Sequence, residues 1–203
     1  MNGKQRFFII TPLVVIVLMY PIFQILARVF GENWRTGWFL GLLIYWLTWG
    51  AVFPLLIIGK QKILTMIRPQ RPNGRILLLV AFPLLMASLY RLIPGMKYDK
   101  AAASTLLMLV ATAFGNGFFE EILWRGVSMQ LFPENIFFRI VWPSIWFALW
   151  HYAPGSVSPS GNVIGLMAGA GFFGFYLSYL AKRTNGLFWC IVAHTLGGII
   201  MVV

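Results

Sequence analysis

The chain has 203 residues, of which 60% are hydrophobic, 17% aromatic and 10% charged, whereas a soluble domain carries about 25% charged residues. Its mean hydropathy is +0.80, and apolar runs such as 7–27 and 76–90 exceed what a soluble core can bury, which excludes a water-soluble globule. Sixteen Lys and Arg against five Asp and Glu give a net charge of +11, but these cations fall between the apolar runs, where they anchor spans, so no nucleic-acid partner is expected.

Seven apolar segments follow in chain order, at 7–27, 37–59, 76–93, 101–131, 136–151, 162–181 and 186–203. They predict an all-α fold, a polytopic membrane helical bundle of about seven spans, and a single membrane-embedded domain over 1–203 whose motifs lie within about 101–203. The first segment follows Lys4 and Arg6 as a signal peptide would, but it is long and no A-x-A-like site precedes Gly31, so it reads as a retained span, kinked at Pro12 and Pro21. The linker 59–75 holds Lys60, Lys62, Arg68, Arg71 and Arg75 with Pro69 and Pro72, which suits an interfacial loop meeting anionic headgroups. The loop 152–162, YAPGSVSPSGN, is uncharged and reads as a flexible turn at the membrane edge. In the sixth segment Gly161, Gly165 and Gly169 recur every four residues, followed by Gly171 and Gly174, which predicts close approach of another helix. The tryptophans and tyrosines read as interface-belt and packing residues, and the single cysteine, Cys190, as packing.

Basic residues also predict orientation. With the N-terminus cytoplasmic, the inner loops carry Lys4, Arg6, Lys60, Lys62, Arg68, Arg71, Arg75, Arg139, Lys182 and Arg183, while Arg28, Arg35, Arg91, Lys97 and Lys100 fall outside. Arg125 is left aside because it lies within a segment. The bias predicts an N-in, C-out protein of a cell membrane.

The chain has only five acidic residues and two histidines, yet Glu120, Glu121, His151 and His194 all fall in or at the edge of apolar segments. An ionisable group at membrane depth costs about 2.5–3.5 kcal/mol by insertion scales and marks a functional hypothesis. In GNGFFEEILWRG, residues 115–126, Glu121 and Arg125 are helical i,i+4 neighbours and predict an ion pair. Glu120 is turned about 100° away and left free as a general base, with Asn116 on its own face four residues earlier to hold it. The bland alternative is a structural polar network between helices. Phe147 and His151 share a face at i,i+4, and His194 lies in the last segment. Counted from helix ends on one side, Glu120 lies about 16 Å deep, His151 about 22 Å and His194 about 12 Å at 1.5 Å per residue, so the three are expected to converge in one hydrated pocket.

Glu120-Glu121-x-x-x-Arg125, then Phe147-x-x-x-His151, then His194, in that order, resembles the CAAX-protease and bacteriocin-processing (Abi) family of intramembrane proteases over about residues 115–198. The resemblance implies that Glu120 activates a water for attack on the peptide carbonyl of a membrane-associated substrate, prenylated or bearing a leader, within the lipid bilayer. It implies that Glu121 and Arg125 support that glutamate, while His151 and His194 polarise the carbonyl or bind a metal. Two imidazoles with one carboxylate, His151, His194 and Glu120, match a catalytic zinc ligand set, but neutral imidazoles also serve an oxyanion directly. The helical H-E-x-x-H spacing is absent, so local sequence leaves the two versions open. One departure stands out: Gly198 occupies the position where the family's third motif carries Asn or Asp. It predicts weak proteolysis or a narrow substrate range, with Gly198→Asn raising activity. It also favours the first alternative function, a non-catalytic bacteriocin-immunity or regulatory protein. The second alternative is a small transporter using Glu and His as a proton relay.

Overall fold

A computed structural model describes residues 1–92, 102–158 and 161–202; Lys97 and Lys100, counted in the orientation argument, lie outside them. Helix α1, Gly3–Phe30, opens on a capping box in which Asn2 Oδ1 accepts from the Gln5 amide at 2.9 Å and Gln5 Oε1 from the Asn2 amide at 2.8 Å. It continues unbroken through Pro12 and Pro21 and ends at Gly31, whose φ of +52° lets the chain reverse through a 3₁₀ turn, Gly31–Asn33. Helix α2, Trp34–Tyr45, then returns along α1. The two backbones meet closely, because a Cβ at Gly37 would stand 2.5 Å from the Leu26 carbonyl oxygen.

This leg continues as a π-helical stretch, Trp46–Val52, and α3, Phe53–Ile58; Gly59 then turns the chain into the short α4, Lys60–Met66. Asn73 caps α5, Gly74–Arg91, by accepting from the Ile76 amide at 3.0 Å. Helix α6, Ala103–Gly115, passes into a second π-helical stretch, Asn116–Gly126, and α7, Val127–Leu131. A third, Phe137–Val141, leads into α8, Trp142–Trp150, and the one-turn α9, Tyr152–Gly155. Helices α10, Val163–Thr184, and α11, Phe188–Val202, complete the bundle.

Among the described residues all seven apolar segments are mainly helical and no strand occurs, which makes this an all-α membrane bundle. By length and composition four helical runs can cross a membrane: Gly3–Ile58, which contains the α1–α2 reversal, Gly74–Arg91, Ala103–Leu131 and Val163–Thr184. Apolar side chains stay exposed along their outer faces, Leu56 at 74%, Leu78 at 73%, Leu107 at 71% and Ile164 at 82%, as lipid-facing surfaces require.

Cross-chain bonds define the two ends of the bundle. At one end the Lys4 ammonium donates to the Ile57 carbonyl at 2.7 Å, Gln5 Nε2 to Leu131 at 2.7 Å, the Leu187 amide to Met66 at 2.7 Å and Trp189 Nε1 to Gln70 at 3.1 Å. These contacts gather the loops that carry the ten basic residues from Lys4 to Arg183. At the opposite end Gln24 Nε2 donates to Ser156 Oγ at 2.8 Å and Tyr20 stacks on Tyr152. The glycine stripe of α10 admits another helix as its sequence predicts, but only over its second part. Gly161 and Gly169 face open space, and a Cβ at Gly165 would meet only its own cap, Asn162. Close contact with α8 falls at Gly171, beside Ala148, and at Gly174, beside Phe147 and also beside Arg125 of the stretch that follows α6. Cys190 is a packing residue, its buried thiol donating to the Leu177 carbonyl at 3.4 Å.

Candidate active site

Glu120, Glu121 and Arg125 all project from the π-helical stretch Asn116–Gly126, where the Val127 amide reaches back five residues to the Ile122 carbonyl. Such wide turns are uncommon and recur at functional sites. Here the wide turn puts two consecutive carboxylates and a guanidinium among buried residues. Glycines bring the neighbouring elements in. A Cβ at Gly115 would lie 2.4 Å from the Trp46 ring, and one at Gly117 would lie 2.0 Å from Thr195 Oγ1. The second of these gaps lets α11 cross beside the carboxylates and delivers His194, the residue before Thr195, to them.

The geometry centres on His194. Its Nδ1–H donates to Glu121 Oε1 at 2.8 Å, and its Nε2 stands 3.9 Å from Glu120 Oε2. Arg125 Nη1 donates to the same Glu121 oxygen at 3.1 Å. Glu121 therefore holds a cation and an imidazole together, where the sequence predicted the arginine alone. Glu120 is held on one side only: Trp150 Nε1 donates to Oε1 at 3.0 Å, while Oε2 is buried without a hydrogen-bond partner. The Glu120 and Glu121 side chains are 1% and 0% exposed and the His194 side chain 12%, so the histidine edge is where this cluster meets its surroundings.

Phe147 organises the other wall. The Arg125 guanidinium lies 4.3 Å from its ring centroid, a cation–π contact that takes up the face of a cation whose Nε and Nη2 have no hydrogen-bond partner. Both histidines meet the same ring edge-on, His151 at 4.6 Å and His194 at 6.2 Å between centroids. His151 Nδ1 is 2.7 Å from the Phe147 carbonyl, which can only accept, so this nitrogen carries the proton and Nε2 is the ring's open position. The structure thus unites Glu120, Glu121, Arg125 and His194 in one contact network and sets His151 beside it, across Phe147.

Asn116 departs from its sequence reading. Its Oδ1 accepts from Trp46 Nε1 at 3.0 Å rather than orienting Glu120, because the π winding breaks the α-helical register that would stack residues 116 and 120. The sequence also missed Trp150, and behind it Tyr45, which stacks on the Trp150 ring at 3.9 Å and accepts from Trp124 Nε1 at 2.9 Å. These three aromatics are buried within the bundle and are not a belt. The available signal was position: Trp150 directly precedes His151, and Trp124 directly precedes Arg125.

Gly198 is explained by packing. A Cβ there would come within 2.9 Å of the Ala113 Cβ on α6, so the glycine sets how closely α6 and α11 approach. A polar group one turn beyond His194 could bond a ring nitrogen of that histidine, and here Glu121 bonds its Nδ1. Among the described residues no group of three or more His, Cys, Asp or Glu side chains stands close enough to hold a metal ion. His194 Nδ1 is held by Glu121 and His151 Nδ1 by the Phe147 carbonyl, which leaves His194 Nε2, His151 Nε2 and Glu120 Oε2 as the open positions of the residues considered for zinc.

A polytopic helical membrane protein with a buried Glu-Glu-Arg-His cluster is the class that fold and geometry define. Residues 102–200 match the family model described as type II CAAX prenyl endopeptidase Rce1-like. This match, which spans every residue of the cluster, supports a place in the CAAX-protease (CPBP) family, a family of peptidases. No curated protein and no solved structure matches the chain.

Proposed function

We propose that this protein is an intramembrane endopeptidase that cleaves a membrane-associated peptide with a water activated by Glu120. The observation that carries this reading is the pair of inward acceptors, Glu120 Oε2 and His194 Nε2, 3.9 Å apart. With the His194 proton on Nδ1, both atoms accept hydrogen bonds, and one water donating to both turns its oxygen lone pairs outward. Attack of that oxygen on the scissile carbonyl forms the new C–O bond while Glu120 takes the proton. Collapse of the tetrahedral intermediate breaks the C–N bond, and the Glu120 proton passes to the departing amine. Burial strengthens each of these interactions because little solvent competes for the charges. Glu121 and Arg125 hold the His194 ring in this tautomer. Trp150 fixes Glu120 Oε1, which leaves Oε2 as the reactive atom.

The match of residues 102–200 to a peptidase family supports a peptidase over a proton-relay transporter, and the closeness of Gly198 to Ala113 gives that glycine a packing reason that does not require a non-catalytic protein. The N-in orientation is part of the same proposal and rests on the ten basic residues at one end of the bundle. Cleavage of a panel of prenylated CAAX-type and leader peptides, reconstituted in vesicles with wild type and Glu120→Gln, tests the function. Wild-type cleavage of at least one peptide that Glu120→Gln fails to cut is the expected result. Equal cleavage by both proteins overturns the assignment of the base.

A further inference from the structure

The α5–α10 face carries a second feature, well separated in character from the carboxylate cluster. A groove of about 520 Å³ lies between these helices, lined by Arg75, Leu78, Leu79, Phe82, Tyr176 and Arg183 among others. The lining descends in register. On α5 it runs from Arg75 through Leu78 and Leu79 to Phe82, and on α10 from Arg183 through Tyr179 to Tyr176, in steps of three and four residues that keep each set on one helix face. Both arginines therefore stand at the basic end of the bundle, and the apolar residues stand deeper. The floor is fixed: the Tyr176 hydroxyl donates to the Leu79 carbonyl at 2.5 Å, and the Tyr176 and Phe82 rings lie 5.3 Å apart. The wall stays open to the outside, with Leu78 73% exposed and Phe82 39% exposed.

Among the described residues no acidic side chain lines the rim. The first turn of α5, which carries Arg75, contains no Asp or Glu. Two guanidiniums beside the positive end of an 18-residue helix form an anion-binding rim, and an apolar trough runs from it to membrane depth. We infer that this groove binds an anionic phospholipid, its phosphate at Arg75 and Arg183 and an acyl chain along Leu78, Leu79 and Phe82. A zwitterionic lipid offers the same chain without net negative charge, and a soluble phosphate offers the charge without the chain. The shape calls for both in one molecule.

Native mass spectrometry of the full-length protein in mild detergent, titrated with phosphatidylglycerol and with phosphatidylcholine, tests the inference. Wild type is expected to hold one phosphatidylglycerol at least roughly 10-fold more tightly than phosphatidylcholine, as two basic side chains at an anionic headgroup provide. Arg75→Gln/Arg183→Gln is expected to bring that preference to within about 2-fold. Arg6→Gln/Lys62→Gln, which removes equal charge from the same end, should retain the preference. Both groove arginines are exposed, so the double variant should fold; if its melting curve shows otherwise, Arg183→Gln alone is read and must still lower the preference. Equal binding of the two lipids by wild type, equal loss in the control variant, or displacement of the lipid by inorganic phosphate alone would each overturn the site.

Discussion

The α1–α2 hairpin and the π-helical stretch Asn116–Gly126 solve the same packing problem with opposite materials. In the hairpin, glycine and apolar side chains close the interface, with Gly37 against the Leu26 backbone and Gly41 against the Phe23 ring. The stretch 116–126 buries two carboxylates and a guanidinium instead, each of which must find partners or be neutralised. The hairpin can lose a contact and remain a hairpin. The polar stretch is interdependent: Glu121 serves Arg125 and His194 at once, and His194 reaches towards Glu120. The two regions are nonetheless joined, since Tyr45 and Trp46, at the end of the hairpin, stack on Trp150 and donate to Asn116 respectively. The polar region carries the groups proposed to react, and the apolar region holds the aromatic wall behind them.

Breaking the polar region should show this interdependence most strongly at Glu121. Glu121→Gln leaves Arg125 buried without a counter-charge, and a loss of about 3–5 kcal/mol in unfolding free energy is expected, read by melting in detergent with the same lipid content as wild type. A loss below about 1 kcal/mol would show that Arg125 is stabilised chiefly through Phe147.

The next effect is smaller and concerns Gly198. Gly198→Asn is expected to cost about 1–3 kcal/mol, because its Cβ meets Ala113 in a packed interface, and to leave cleavage no faster. Gly198→Asn combined with Ala113→Gly should recover stability. Faster cleavage by the single variant would restore the reading of Gly198 as a missing polar group.

Trp150→Phe keeps the ring on Tyr45 and removes the N–H that holds Glu120 Oε1. Cleavage should slow by roughly 10-fold, as loss of one buried hydrogen bond of about 1–2 kcal/mol predicts, with melting little changed. The smallest effect is expected at the join, where Trp46→Phe should lower stability by about 1 kcal/mol and slow cleavage less than Trp150→Phe does.

Much of this was legible in the sequence, for identifiable reasons. The apolar segments were legible because the bilayer sets their length, and the Glu121–Arg125 pair because a spacing of four brings side chains together on a helical turn. The polar residues at membrane depth stood out because lipid makes them costly. The π winding was not legible: it has no compositional mark, and it redirected Asn116 from Glu120 to Trp46. The aromatic partners escaped because Tyr45 and Trp46 lie 70 or more residues from the groups they touch. Gly198 escaped because its meaning depends on Ala113 across the interface.

The central claim is that Glu120 acts on the reacting water while Glu121 acts through His194 and the fold. Its most direct test is the separation of binding from turnover in Glu120→Gln, using a peptide that wild type cleaves. The account predicts that Glu120→Gln binds the peptide with an unchanged Kd and melts as wild type does, while kcat falls by about 10²–10⁴-fold, the range typical of a positioned general base. A variant that keeps kcat and loses binding, or one that unfolds while Glu121→Gln stays intact and inactive, would contradict it.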